Sequence, residues 1–311
     1  MNAISFPKVS IIMATYNRIM TLPRAIDSVL RSDMTDWELI IVDDGSTDNS
    51  REVIEDYLTK DSRIRAVFHE RNMHVHAAKN TGFDLMQGEW FTTLDSDDEM
   101  MPSALSDMLN VLETVDLSID AITCNCLDTT TQEFSGKGLN HDQYLDFETL
   151  ITKCYGEQGG LTKRSLLGNQ RFNSKMRGGA EGVLWLKISR TAKRYYLHKA
   201  LRIYHTEGVD RISHKARKVN LDDRICYYNE MAFETEYLEL LKKYRPLDYA
   251  SIQRNISLIM ALSGKRKEAW LAYLEGKNHI KFSHQIAVII ALIGGRIAAH
   301  AVLKVAFNVR Y

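Results

Sequence analysis

Between residues 8 and 114 short, β-branched apolar runs alternate with segments whose apolar residues recur at helical spacing. Strands are expected at "KVSIIMAT" (8–15), "WELIIVDD" (37–44), "IRAVFHE" (64–70) and "EWFTTLD" (89–95). Helices are expected at 21–32, 47–60, 77–88 and 103–114, the third ended by Gly88. Leu22, Ile26, Val29 and Leu30 share one face of the first helix. Strands joined in this way by short links through helices form a doubly wound, mostly parallel α/β sheet. Such a sheet binds its ligands at the carboxyl ends of its strands. Here those ends are polar: "ATYN", "DDGS" and "DSDD".

The pattern loosens from about 130 to 215, where "KGLN", "EQGG" and "MRGGAEG" interrupt it, and from about 216 the chain is helical. The expected organisation is therefore an α/β half over 1–130, a substrate-binding half of the same domain over 131–215, and a C-terminal helical region over 216–311. With 311 residues the chain has ample length for a buried core. Lys+Arg and Asp+Glu balance at 40 each, so no general field draws it to nucleic acid. Cys124 and Cys126 lie in the apolar run "AITCNCL" and read as strand packing, and the cysteine usage implies a reducing compartment. The N-terminus lacks a basic region followed by a long apolar core, so no signal peptide is expected.

The last segment, "SHQIAVIIALIGGRIAAHAVLKVAFNVRY", is apolar but interrupted by Arg296, His300 and Lys304. Their four-residue spacing puts them on one helical face. Two readings stay open: a helix docked on its neighbours, or an interfacial helix with a basic face giving peripheral membrane contact through 283–308.

The chemistry is concentrated at the strand ends. The first strand ends in "ATYNR", so the dinucleotide fingerprint and the P-loop are both absent. Asp43 and Asp44 precede a glycine turn and can accept from a base N–H or a ribose hydroxyl. Ser46 or Asp48 can cap the helix after that turn. Asp95, Asp97 and Asp98 crowd three carboxylates into four positions. Like charges so close raise each other's pKa. Asp95 and Asp97 form a D-x-D, and Mg²⁺ or Mn²⁺ is commonly held by one or two carboxylates together with substrate phosphates.

The ordered series "VSIIMATYNR … AIDSVL … WELIIVDDGSTDNS … AAKNTGFDLMQGEWFTTLDSDDEMMPSAL" resembles the nucleotide-binding half of family 2 glycosyltransferases, inverting enzymes with the GT-A fold. The resemblance is dense from about 8 to 110, patchier from 160 to 215, and slight in the final 90 or so residues. It implies that Ala14, Thr15 and Tyr16 line a nucleoside pocket, that Asp44 faces the base with Asp43 beside it, and that Lys79 lies near the phosphates. It further implies Asp97 as the better metal ligand, and Asp95, with Ser96, nearer the ribose. At His74 the family often has glycine. His74 and His76 either shape the donor pocket or are polar loop residues.

In the family a Glu-Asp pair stands about three residues before "LWL", and its Asp removes the acceptor proton. Counting back from Leu184-Trp185-Leu186 puts Glu181 at that Asp and Ala180 at its Glu. The other register puts Gly182 in place of the base, with Glu207 and Asp210 as the next carboxylates to consider. His205, in "LRIYHTEGVDRIS", is either a diphosphate or metal contact or a structural histidine, and Arg211 can pair with a phosphate. The implied function is metal-dependent, inverting transfer from a nucleotide-diphosphate sugar, UDP-linked by default, to a glycan or lipid-linked acceptor in cell-surface polysaccharide synthesis. That work would be cytoplasmic, at the inner face of the membrane. A catalytically degenerate nucleotide-sugar-binding module is the alternative. A nucleotidyltransferase is disfavoured by "ATYNR", and a receiver domain by length and the D-x-D.

Overall fold

The computed structural model describes residues 6–115, 118–177, 181–207 and 221–306, the side chains of 304–306 excepted. The chain divides into two compact units, Met1–Arg177 with Lys187–Gly208, and Gly178–Leu186 with Val209–Tyr311.

The first unit is built on one nine-stranded sheet. Its elements in chain order are β1 (Val9–Thr15), α1 (Leu22–Leu30), β2 (Trp37–Asp43), α2 (Ser50–Lys60), β3 (Ile64–Phe68), α3 (Val75–Leu85), β4 (Trp90–Thr93), β5 (Glu99–Met100), α4 (Ala104–Thr114), β6 (Ala121–Asp128), β7 (Gln143–Leu145), α5 (Phe147–Lys153), β8 (Gln158–Lys163) and α6 (Arg164–Leu167). Helix α7 (Gly182–Thr191) crosses the division between the units, and β9 (Arg194–Tyr204) completes the sheet. The strand order is β3-β2-β1-β4-β8-β6-β9-β5, with β7 paired to β9. β3, β2, β1, β4, β6 and β9 run one way, and β8, β5 and β7 run against them. The expected α/β, mostly parallel sheet is present.

The two central strands explain their own composition. Every residue of β2 is buried, as are all but one of β1, because both faces of the sheet are covered. Val9, Ile11 and Met13 pack with Leu22, Ile26 and Val29 of α1 and with Leu105 and Met108 of α4. Ile12 points to the other face. There α3 approaches so closely that a Cβ on Gly82 would stand 2.4 Å from the Ile12 side chain. α3 begins two residues earlier than the periodicity suggests and ends at Leu85, three residues before Gly88. β4 is shorter than expected, which leaves Asp95 in the turn beyond it.

The second unit is helical in its described part: α8 (Leu221–Met231), α9 (Thr235–Tyr244), α10 (Pro246–Leu262), α11 (Arg266–Gly276), a 3₁₀ turn (Lys277–His279) and α12 (Phe282–Ala306). Ile256, Leu258, Ile259 and Met260 of α10 pack with Ala269, Ala272 and Tyr273 of α11 and with Val288, Ala291, Leu292, Ala299 and Leu303 of α12. Phe282–Leu303 is long and apolar enough to cross a bilayer by length and composition. One face of that segment is instead part of this core. Gly295, at φ 65° and ψ −150°, breaks the helix. The freed Ile293 carbonyl accepts from Arg266 at 3.0 Å, and Arg296 donates to the Ser263 carbonyl at 3.4 Å. Arg296, His300 and Lys304 all follow this break, which therefore leaves their four-residue spacing intact. Arg296 is turned onto the end of α10, and the outward stripe before the break is apolar: Phe282, Ile286, Ile290 and Ile293. The Lys304 side chain lies outside the described part.

Candidate active site

Parallel pairing brings the carboxyl ends of β1, β2 and β4 to one edge. Thr15 is in register with Asp43, and Thr93 with Ile12. Leu94 N–H continues the β4 ladder to the Ile12 carbonyl at 3.0 Å. Three polar strand ends far apart in sequence therefore open on the same side.

The first two ends are latched to each other. Asn17, in the left-handed region at φ 52°, accepts from Thr47 N–H at 2.7 Å and donates its own N–H to Ser46 Oγ at 2.9 Å. Asp43 accepts from the Ser46 amide at 3.2 Å and from the Ser46 hydroxyl, which closes the turn. Gly45 holds φ 73°, and a Cβ there would lie 2.6 Å from the Arg71 carbonyl carbon, so this turn requires glycine. Asp48 accepts from Ser50 N–H at 3.0 Å and supports the start of α2, whereas Ser46 is used by the turn. Asp44 Oδ1 accepts from Met73 N–H at 2.9 Å and faces His69 Nδ1 at 2.8 Å. Asp44 thus anchors the segment that leads into α3. Thr15 Oγ1 is buried without a hydrogen-bond partner among the described residues. A buried polar atom of that kind calls for a partner, and a bound molecule can supply one. Ala14 is partly covered, and Tyr16 is exposed at 41%.

The third end answers the problem of crowded acids. Lys79, buried on α3, places Nζ 3.2 Å from Asp95 Oδ1. Arg202, on β9 opposite Met100, donates to Asp95 Oδ2 at 2.9 Å and to Asp98 Oδ2 at 2.6 and 2.9 Å. Lys79 first, and then Arg202, hold the Asp95 carboxyl well below the usual carboxylate range against its desolvation. Asp98 is fully enclosed, and burial pushes its carboxyl up, with Arg202 opposing. Asp97 is the more loosely paired member: its ion pair to Arg18 is long, at 3.8 Å, and its side chain is 24% exposed. Ser96 is buried in the same turn. His205 stands between carboxylates, Nε2 2.9 Å from Glu99 and Nδ1 2.8 Å from Glu207. Its backbone N–H donates to Asp98 Oδ1 at 3.1 Å. The Thr129 hydroxyl first, with His205, lowers the Glu207 carboxyl to about 2. A carboxylate that acidic is a poor base.

No group of three or more His, Cys, Asp or Glu side chains arranged to hold a metal ion occurs among the described residues. The donor set nevertheless suits a hard cation bound jointly with phosphates. Asp97 offers carboxylate oxygens at the open edge with Asp95 beside it, and one or two carboxylates are what Mg²⁺ usually takes from a protein in such sites.

His74 has φ 71° and ψ 160°, backbone that glycine favours, at the position where the resemblance expects glycine. His76 is fully buried, stacked on Phe172 with centroids 5.0 Å apart. Glu181 precedes α7, and its carbonyl accepts from Trp185 N–H at 3.3 Å. Ala180, Asp210 and Arg211 lie outside the described residues. Sequence reasoning missed Arg202, His69 and Arg18. Arg202 carried no distinct signal, since its strand "RYYLHKALRIY" also holds Arg194, His198 and Lys199.

A relative from Campylobacter jejuni, GalNAc(5)-diNAcBac-PP-undecaprenol beta-1,3-glucosyltransferase, is 36% identical over 220 residues, covering 68% of this chain and 69% of its own length. The structure of S. aureus TarS 1–349 in complex with UDP-GlcNAc is similar in fold, with a TM-score of 0.66 at 14% identity, covering 98% of this chain and 93% of that one. The mannosyltransferase PcManGT from Pyrobaculum calidifontis, in complex with GDP-Man and Mn²⁺, matches with a TM-score of 0.56 at 16% identity, covering 98% and 88%. The family model for glycosyl transferase family 2 matches residues 10–167, across the latched strand ends and the D-x-D, and with the Campylobacter relative it shows that this chain belongs to glycosyl transferase family 2 and is a glycosyltransferase of polysaccharide or glycoconjugate synthesis.

Proposed function

We propose that the protein transfers a sugar from a nucleotide-diphosphate sugar to a glycan or lipid-linked acceptor, with inversion and with a divalent cation. The observation that carries this reading is the convergence of Thr15, Asp43, Asp44, Lys79, Asp95 and Asp97 on one edge of the sheet. UDP is the preferred carrier, in line with the UDP-GlcNAc complex of the TarS neighbour. The undecaprenol-linked compound named for the Campylobacter relative favours a lipid-linked acceptor, and with it a place at the inner face of the membrane.

In this reading Ala14, Thr15 and Tyr16 border the nucleoside, and the Thr15 hydroxyl gains the partner it lacks. Asp44 keeps the 69–74 segment in place and faces the base from beside Asp43. Ser96 and Asp95 lie toward the ribose. Lys79 brings positive charge to the phosphates while its pairing with Asp95 offsets its burial. Asp97, with Asp95, would hold Mn²⁺ or Mg²⁺. That cation would neutralise charge gathering on the departing diphosphate. For His205, diphosphate contact or metal ligation would each require a ring nitrogen to leave the carboxylate it faces. Glu181 is the proposed base that takes the acceptor proton, so that the hydroxyl oxygen attacks the anomeric carbon opposite the leaving diphosphate.

The test is incubation with a panel of nucleotide sugars, Mn²⁺ and polyprenyl-diphosphate-linked acceptors, with nucleoside diphosphate release and product anomeric configuration as readouts. The reading expects one UDP-sugar to be consumed and its configuration inverted. Retention of configuration, or nucleotide binding without turnover on any donor, would overturn it.

A further inference from the structure

The outer face of α12 is built as an interfacial surface. Phe282, Ile286, Ile290 and Ile293 are 77%, 44%, 52% and 69% exposed. Their spacing of four, four and three residues places all of them on one helical face, opposite Val288, Ala291 and Leu292, which are in the core. Ile297, just past the Gly295 break, is 87% exposed. The stripe from Phe282 to Ile293 rises roughly 16 Å along the helix. A run of exposed large side chains along one helix is the kind of apolar patch that marks an interaction site on a soluble fold.

The charges around it select the partner. From Gly276 to Tyr311 the chain has no Asp or Glu, while Lys277, Lys281, Arg296, Lys304 and Arg310 are all basic. Lys277 and Lys281 flank the start of α12, both exposed. An apolar stripe beside cationic residues, on a helix whose opposite face is fixed in a protein core, suits a flat anionic lipid surface. Such helices seat their apolar face at the headgroup–acyl boundary, and anionic lipid adds electrostatic attraction.

We propose that the protein binds anionic membrane through this stripe, with α12 lying in the plane of the interface rather than crossing it. Burial of Val288, Ala291, Leu292, Ala299 and Leu303 against α10 and α11 is what holds the helix in the fold. The inference differs from a basic-face contact: isoleucines enter the interface, and lysines at the start of the helix attract it. It does not depend on donor chemistry.

The test is co-sedimentation of the full chain with vesicles of equimolar phosphatidylcholine and phosphatidylglycerol, and with phosphatidylcholine alone. Wild type should partition to the mixed vesicles and lose binding as salt rises. I286S/I290S should weaken partitioning more than about tenfold, since each isoleucine loses its transfer into an apolar phase. K277E/K281E should lose the preference for phosphatidylglycerol. UDP affinity of each variant, measured in parallel, separates loss of this surface from loss of fold or of the nucleotide site. Equal partitioning of wild type and I286S/I290S would overturn the proposal. So would wild type that ignores both vesicles but forms a dimer that I286S/I290S dissociates, because a second copy would then cover the stripe.

Discussion

Arg202→Met removes the cation that links Asp95 to Asp98. The two arms of that link differ in worth. Asp98 is 1% exposed and takes two hydrogen bonds from the guanidinium. Breaking a buried pair from one side costs about 3–5 kcal/mol, because a charge is left enclosed without its partner. Asp95 is 43% exposed, so solvent screens its arm to about 0–1 kcal/mol. The arms share one guanidinium and do not add, so the expected loss is about 3–5 kcal/mol. Urea unfolding at neutral pH, followed by hydrogen exchange at β9 amides, reads this loss in the sheet unit itself. The double variant R202M/D98N should recover much of it, since neither charge then remains.

The pH dependence has a definite sign. Burial already raises the Asp98 pKa in the folded state. Without Arg202 it rises further, so the folded protein takes up a proton that the unfolded chain does not. Stability of R202M relative to wild type therefore improves as pH falls through that raised pKa. A loss under about 1 kcal/mol, or a deficit that grows on acidification from neutral pH, would refute the reasoning.

Two more outcomes concern single residues. His74→Gly should raise stability by about 1 kcal/mol, because relief of about 1–3 kcal/mol of backbone strain exceeds the added chain entropy of glycine; a lower melting temperature would contradict it. Glu181→Gln should slow turnover by about 10²–10⁴ while nucleotide affinity stays near wild type, and wild-type turnover in that variant would remove Glu181 as the base.

The first strands of the sheet were legible in the sequence because β1 and β2 are buried on both faces and read as unbroken apolar runs, and because glycine and polar clusters mark their ends, whereas β5, β7, β8 and β9 were not expected. The gathering of "ATYN", "DDGS" and "DSDD" came from parallel topology alone. The ion-pair web was not legible, since Arg202 meets Asp98 across 104 positions and Arg24 reaches the Asp97 carbonyl across 73. Asp43 read as a ligand-facing carboxylate, and the structure shows that it also closes its own turn through Ser46. The apolar stripe of α12 was missed for a local reason. The charges at Arg296, His300 and Lys304 describe only the stretch beyond Gly295, whereas Phe282, Ile286, Ile290 and Ile293 are exposed before it.

The central claim is that a cation and a nucleoside diphosphate bind together at the D-x-D. Calorimetric titration of UDP into the protein, in Mn²⁺ and in EDTA, with wild type and Asp97→Ala side by side, tests it most directly. The account predicts that Mn²⁺ tightens UDP binding to wild type and that Asp97→Ala abolishes the gain while melting normally. Equal UDP affinity with Mn²⁺ and with EDTA in wild type, or an undiminished Mn²⁺ effect in Asp97→Ala, would contradict it.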